Sequence, residues 1–328
     1  MKVTWHTRRR VLLMAALTLA PSFAVRAEGI ERSLAVHAQT LESLPTRPIR
    51  ILVAHPPGGV SDQVARGLAE RLATQLGVPI LVENRSGAAG TLAMRLLAGS
   101  APDGHTLGFG AASAVSMLSA EAGQGSAGPH RVTPVAGVMR TPMLLVGTPA
   151  LQRRTFAGML AQAREQPEGI RWATSGEGTT GHAVLERVRR ASGATIVHVP
   201  YKGGGQQVND AMGGHFEVLS TNVAAQQLEA IRAGRLTALA VGAPQRLAVL
   251  PEVATLAQLG YAEANLDSLF GLFAPPRTPP GLVDRLNAEV ALALRDPVLR
   301  TKLLAVNNMP FEGSARDFAR QMEREAHR

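Results

Sequence analysis

Cysteine is absent from the 328 residues, which excludes disulfides, thiolate metal sites and cysteine nucleophiles together. Aromatic residues make up 4% of the chain, and Lys2, Lys202 and Lys302 are its only lysines, so 31 of the 34 basic residues are arginine. The formal charge of +9 would suit a binder of nucleic acid or anionic membrane, but its position argues otherwise. Residues 1–27 hold Lys2, Arg8, Arg9, Arg10 and Arg26 and no acid; beyond them 29 basic residues face 25 acidic ones. With no basic run in the body and few aromatics, the stacking and phosphate-tracking surface of a nucleic-acid binder is missing. Long apolar runs are missing too. The run Val11 to Ala20 is too short to span a bilayer, and no second span follows.

What is present at the start fits a targeting segment. Arg8-Arg9-Arg10 precedes the apolar run, Pro21 breaks it, and Val25-Arg26-Ala27 supplies a small-residue cleavage pattern. The reading is a signal peptide over 1–27, cleaved near Ala27, and a periplasmic protein; the Thr7-Arg8-Arg9 pair leaves the export route open. The remainder, in a chain 45% hydrophobic and 18% charged, has room for about two domains and can build cores large enough to dispense with disulfides.

After a polar, poorly patterned stretch from Glu28 to Pro45, short apolar runs alternate with segments of helical period. Ile49 to Ala54 reads as a buried strand and His55-Pro56-Pro57-Gly58-Gly59 as a turn. A helix follows, capped by Ser61 or Asp62, with Val64, Leu68, Leu72 and Leu76 on one face and Gly77 at its end. Strands at Val78 to Val82 and Thr106 to Gly110 flank a helix at Thr91 to Ala98, which predicts a mainly parallel sheet with helices on both faces. The pattern restarts with strands at Met143 to Gly147, Gly169 to Ala173, Ile196 to Val199, Phe216 to Leu219 and Leu236 to Val241. Helices at Thr155 to Arg164, Thr180 to Ala191, Gln206 to Met212 and Val223 to Ala233 lie between them. The tail shows helical patterns at Pro280 to Leu294, Asp296 to Ala305 and Ala315 to Arg324. It is too strand-poor for a domain of its own, so it is expected to pack back onto the first domain. Gly123 to Gly128 reads as a flexible surface loop.

Enzyme signatures are wanting. There is no Gly-x-Ser-x-Gly elbow, P-loop or His-Glu-x-x-His, and the nine histidines show no metal-ligand spacing. Gly108-Phe109-Gly110-Ala111-Ala112-Ser113 imitates a dinucleotide fingerprint, but its third glycine is serine and no clear helix start follows. No catalytic residue, metal or cofactor is predicted.

Small-residue loops sit instead at the carboxyl ends of predicted strands, where open α/β sheets bind ligands. Pro56-Pro57-Gly58-Gly59 brings bare backbone to a helix start whose free N–H groups and dipole favour an anion. Ala111-Ala112-Ser113 and the stretch Thr174 to Gly181 repeat the theme. Converging, they would suit a small carboxylate; as ordinary strand-to-helix turns they would look the same.

The combination of motifs resembles a known family, the Bug-type receptors of tripartite tricarboxylate transporters. The resemblance rests on Arg47-Pro48-Ile49-Arg50, Val53 to Gly59 with Asp62, Val82-Glu83-Asn84-Arg85-Ser86-Gly87-Ala88-Ala89-Gly90 and Ala101-Pro102-Asp103-Gly104. It continues through Thr174-Ser175-Gly176 with His182, His198-Val199-Pro200-Tyr201-Lys202-Gly203-Gly204, Met212-Gly213-Gly214, Asn222 and Phe270 to Pro275. It spans Pro45 to the C-terminus.

The resemblance implies an α/β, two-lobed periplasmic binding protein fold of type II-like form. Each lobe would be a mainly parallel sheet flanked by helices, with lobe 1 from 45–140 and 246–328, lobe 2 from 141–245, and the ligand cleft between them. It implies a non-enzymatic, monomeric receptor whose partners are a small carboxylate and membrane transporter subunits. Carried over by position, Pro57, Gly58, Gly59 and Val60 face the anion, Asp62 more plausibly caps their helix, and Ala111, Ala112 and Ser113 form a second loop. Ser175, Gly176, Thr179 and Thr180 form the facing loop of lobe 2, joined by His182, Tyr201, Thr221 and Asn222. This chain departs from the pattern at His55 and Leu269, where aromatics are usual, and at Val115, Leu118 and Thr221, where His, Asn and Asp are usual. His182 could equally cap or pack, Tyr201 could edge the core, Asn222 could bond its own turn, and Trp172 reads as core. A ligand sensor for a signalling partner, or an exported enzyme on the same scaffold, are the alternatives to transport.

Overall fold

A computed structural model describes residues 45–121, 132–202 and 204–326. The expected signal peptide over residues 1–27, the polar stretch up to residue 44 and the segment Gly123 to Gly128, expected as a surface loop, lie outside the described residues. In chain order the strands are β1 (Ile49–Val53), β2 (Ile80–Asn84), β3 (Thr106–Ala111), β4 (Thr133–Gly147), β5 (Ile170–Thr174), β6 (Ile196–Pro200), β7 (Val218–Asn222), β8 (Thr237–Gly242), β9 (Asp267–Ala274) and β10 (Met309–Pro310). The helices are α1 (Val60–Leu76), α2 (Thr91–Ala98), α3 (Ala112–Glu121), α4 (Phe156–Glu165), α5 (Thr180–Ser192), α6 (Gly204–Met212), α7 (Ala225–Arg232), α8 (Pro280–Arg295), α9 (Pro297–Leu304) and α10 (Ala315–Ala326).

The sheet runs β2-β1-β3-β9-β4-β7-β5-β6. Its outer triplets, β2-β1-β3 and β7-β5-β6, are parallel as the alternating pattern predicts, while the junction through β9 and β4 is antiparallel. β4 carries the chain from one half to the other. From Thr133 to Pro142 it pairs with β9, and from Met143 to Gly147 it pairs with β7 and β8. The handover falls after Pro142, which has no N–H to give to a ladder.

Each half has a core on both faces of its sheet, which is why the strands read as near-continuous apolar runs. In the first, Ile49, Ile51 and Val53 pack with Val64, Leu68 and Leu72 of α1. Leu52 and Ala54, pointing the other way, pack with Met94 and Leu97 of α2. In the second, Met143 and Leu145 join Trp172, Phe156 and Leu185, while Leu144 and Val146 join Phe216, Val208 and Leu228. The tail covers the first half: Leu282, Leu286 and Leu299 enter the α1 face, and Phe318 and Met322 the α2 face.

Several local expectations are corrected. α1 starts at an N-cap of Gly59 rather than Ser61 or Asp62; Asp62 lies in its first turn and reaches back to accept the Gly58 N–H at 2.9 Å. The other end is as expected, with Gly77 at φ +67° donating to the Ala73 carbonyl. A helix, α3, does follow Gly108 to Ser113, but these glycines serve packing rather than a phosphate. A Cβ on Gly108 would lie 2.7 Å from Leu97, and one on Gly110 3.1 Å from Ala54. The tail also supplies β9, whose apolar run is interrupted by Gly271; a Cβ there would lie 2.6 Å from the Ala136 carbonyl oxygen.

Candidate functional site

A solvent-open cleft of about 280 Å³ lies where the two halves of the sheet meet. Its walls are strand ends and helix starts. The first half contributes Pro56 to Ser61 from the β1–α1 turn, with Ala111 and Ser113 from the β3–α3 junction. The second contributes Ser175 and Thr179 to Gly181 before and within α5, and Ala224 to Gln227 at the start of α7. Ser220, Thr221 and Asn222 at the end of β7, with Gln207, Ser268 and Phe270, also line it. Among the described residues no Lys, Arg, Asp or Glu lines it. What the cleft offers an anion is therefore backbone N–H groups at helix starts, together with hydroxyls and amides.

The first loop is held from behind. Gly58 takes φ +84°, which a side-chain-bearing residue rarely adopts, and its N–H is secured by Asp62. Asp62 Oδ1 accepts from Asn84 Nδ2 at 2.9 Å, and Asp62 Oδ2 accepts from Arg66 Nε at 3.1 Å. Burial disfavours the Asp62 carboxylate, but Arg66, the Gly58 N–H and Asn84 outweigh it and hold the group below the usual range. Asn84 also donates to the His55 carbonyl at 3.0 Å, tying β2 to the turn.

The facing loop is braced by hydroxyls. Thr174 Oγ1 accepts the Gly176 N–H at 3.1 Å and meets His198 Nε2 at 2.8 Å. Thr179 Oγ1 donates to the Gly176 carbonyl at 2.7 Å and accepts the His182 N–H as the N-cap of α5. Ser220 Oγ accepts from Trp172 Nε1 at 3.1 Å and donates to the Gly181 carbonyl at 3.0 Å, so the buried indole also positions the loop.

Of the residues expected at the site, Pro57, Gly58, Gly59, Val60, Ala111, Ser113, Ser175, Thr179, Thr180, Thr221 and Asn222 line the cleft. Asp62, Ala112, Gly176, His182 and Tyr201 do not. Asp62 is spent on the turn, Ala112 is buried in the core of the first half, and Gly176 sits against Ala89 and the Tyr201 carbonyl. His182 Nδ1 accepts the Gly178 N–H at 3.2 Å, with its ring 4.5 Å from that of His198. Burial, then the nearby His182, holds His198 below the usual histidine range. The Tyr201 hydroxyl donates to Asp210 Oδ2 at 2.6 Å; burial and that bond push it up to about 12.

Sequence reasoning missed Gln207, Gln227, Ser268 and His55 as cleft-lining residues. Glutamines near helix starts look like surface residues, yet Gln207 is 1% and Gln227 5% exposed. His55 packs its ring 5.7 Å from Phe270, and burial lowers it to about 4, so it stands uncharged at the cleft. Among the described residues no group of three or more His, Cys, Asp or Glu side chains could hold a metal.

The family model of the tripartite tricarboxylate transporter family receptor matches residues 64–328. BugT of Bordetella pertussis is 36% identical over 258 residues, covering 77% of this chain and 78% of its own. Among solved structures, MatC of Rhodopseudomonas palustris with bound malate is 27% identical with a TM-score of 0.76, over 87% of this chain and 98% of that one. An R. palustris protein, Rpa4515, solved with adipate, is 30% identical with a TM-score of 0.77, over 86% and 95%. Matched by the family model over most of its length and by a relative above 30% identity, the chain belongs to the tripartite tricarboxylate transporter receptor family, the Bug-type periplasmic solute-binding receptors.

Proposed function

We propose that this protein captures a small carboxylate in the cleft, closes over it, and delivers it to the membrane subunits of a transporter. The observation that carries the reading is a cleft lined, among the described residues, by no Lys, Arg, Asp or Glu, into which the starts of α1 and α5 bring their backbone from opposite halves of the sheet. First-turn N–H groups and the positive ends of two helix dipoles can hold a carboxylate without a counter-ion. Two structural neighbours were solved with malate and with adipate, which agrees with a carboxylate.

The lobes are taken as 45–140 with 246–328, and 141–245. A ligand touching both at once stabilises the closed form by its differential affinity, with hinge motion at the strands that cross between them. The protein acts as a monomer in the periplasm after removal of a signal peptide near Ala27. The basic, then apolar, then small-residue order at the N-terminus supports export.

A thermal-shift screen with di- and tricarboxylates, aromatic acids, acidic amino acids and uncharged controls tests the ligand class. A ligand at a hundredfold excess over its Kd adds about 2.7 kcal/mol to stability. A shift with an acid, lost when every carboxylate is amidated, supports the reading; shifts with neutral compounds alone overturn it. Delivery is tested by uptake: deleting the gene should abolish transport of the hit.

A further inference from the structure

His55 lines the cleft half-buried, its ring 5.7 Å from that of Phe270 on β9. Phe270 lines the cleft too, and β9 lies between the two halves in the strand order. The ring therefore stands at the middle of the sheet rather than at a helix start. Asn84 fixes the His55 backbone carbonyl at 3.0 Å, but neither ring nitrogen has a hydrogen-bond partner among the described residues. The two nitrogens differ in their surroundings. Nδ1 is sealed from solvent, whereas Nε2 is not.

That difference fixes the tautomer. A neutral imidazole carries one N–H and one bare nitrogen. A buried N–H without an acceptor is rarer in folded proteins than a buried acceptor without a donor, so the proton belongs on Nε2 and the lone pair on the sealed Nδ1. Charging the ring would put a second N–H on Nδ1, and burial accordingly lowers the group to about 4. No counter-charge opposes this. Behind the turn, Asp62 and Arg66 pair with each other at 3.0 Å, and at the start of β9 Asp267 pairs with Arg140. Among the described residues no Lys, Arg, Asp, Glu or other His lines the cleft. At neutral pH the ring can thus donate from Nε2 but not accept there.

Resting on the carboxylate reading, we propose that His55 is a specificity-determining residue whose uncharged Nε2–H donates to a ligand oxygen beyond the carboxylate held at the helix starts. The position favours a second carboxylate or a carbonyl and disfavours an ammonium group, which has only donors. A carboxylate there gains a charge-assisted hydrogen bond, with no proton taken up.

The test joins calorimetric titration to nitrogen-15 NMR of the imidazole. The α,ω-diacids of four, five and six carbons are compared with the monoacid and the ω-amino acid of equal length. The tightest-binding diacid should beat both counterparts at least tenfold. His55→Phe, which keeps a ring against Phe270 and removes the donor, should cut the advantage over the monoacid below threefold. His55→Gln, which restores an N–H donor, should recover part of it. Affinity for the monoacid should change less than threefold in either variant, which separates a lost contact from a damaged fold. In the parent, nitrogen–proton correlation should show the Nε2–H tautomer, its proton moving downfield when that diacid is added. Titration at pH 7 in buffers of different ionisation enthalpy should show no proton uptake. An Nδ1–H tautomer, a proton taken up on binding, or a diacid advantage unchanged in His55→Phe overturns the inference while leaving carboxylate capture intact. Absence of binding by every acid overturns both.

Discussion

Gly176 of the β5–α5 loop sits against Ala89 of the β2–α2 connection, so the loops of the two halves touch beside the cleft. A Cβ built on Gly176 would lie 3.2 Å from the Ala89 Cβ and 3.3 Å from the Tyr201 carbonyl oxygen. Gly176 also takes φ +129°, and Ala89 takes φ +52°, where glycine is more at ease than alanine. A short distance away, a side chain on Gly178 would run into Met117 of α3. The glycines let the two halves approach.

Gly176→Ala should therefore lower ligand affinity at least tenfold by propping this contact apart. Ala89→Gly in the same chain should recover part of the loss, because it removes the facing methyl. Titration of the two single variants and the double variant forms a cycle. Strict additivity would show that the contact does not govern binding.

Asp62→Asn should cost roughly 1–3 kcal/mol, since it weakens a buried carboxylate's bonds to Arg66 and Gly58. The folded state depresses this group, so its contribution is present above the unfolded carboxylate value and is lost as pH falls through the lower folded value. Denaturant unfolding should show the variant and the parent converging below about pH 4, the ordinary aspartate range. Affinity should fall too, because the Gly58 turn loses its anchor.

His55 acts over a different window. Its value of about 4 in the fold lies below the usual 6.5 because burial opposes the charged ring. The unfolded chain therefore binds the extra proton first, and stability falls as pH drops from about 6.5 to about 4, by up to about 3 kcal/mol. His55→Phe should flatten that part of the profile. Above pH 6.5 the group contributes no slope, and the parent's melting temperature should show none from it.

Tyr201→Phe should leave ligand affinity within twofold, because the hydroxyl serves Asp210 rather than the cleft. Its cost should appear in stability, at about 1 kcal/mol. A tenfold loss of affinity with unchanged stability would return Tyr201 to the binding site.

What the sequence determines by itself is local. Period and punctuation place the first helix with its stop at Gly77, though not its start, together with the helix Thr91–Ala98 and the short buried strands, because apolar spacing and glycine conformations act within a few residues. The anion-facing loops are legible for the same reason: each joins a readable strand to a readable helix. What only the tertiary structure decides depends on partners far along the chain. β9 is a strand because β3 and β4 flank it, with Gly271 giving room beside Ala136. Asp62 is legible at the helix start, but its bond to Asn84, 22 residues away, which ties the turn to β2, is not. Gln207 and Gln227 carry no buried signature in their own segments; they are buried beside the cleft only because α6 and α7 pack there, since burial belongs to the packed fold and not to the residue.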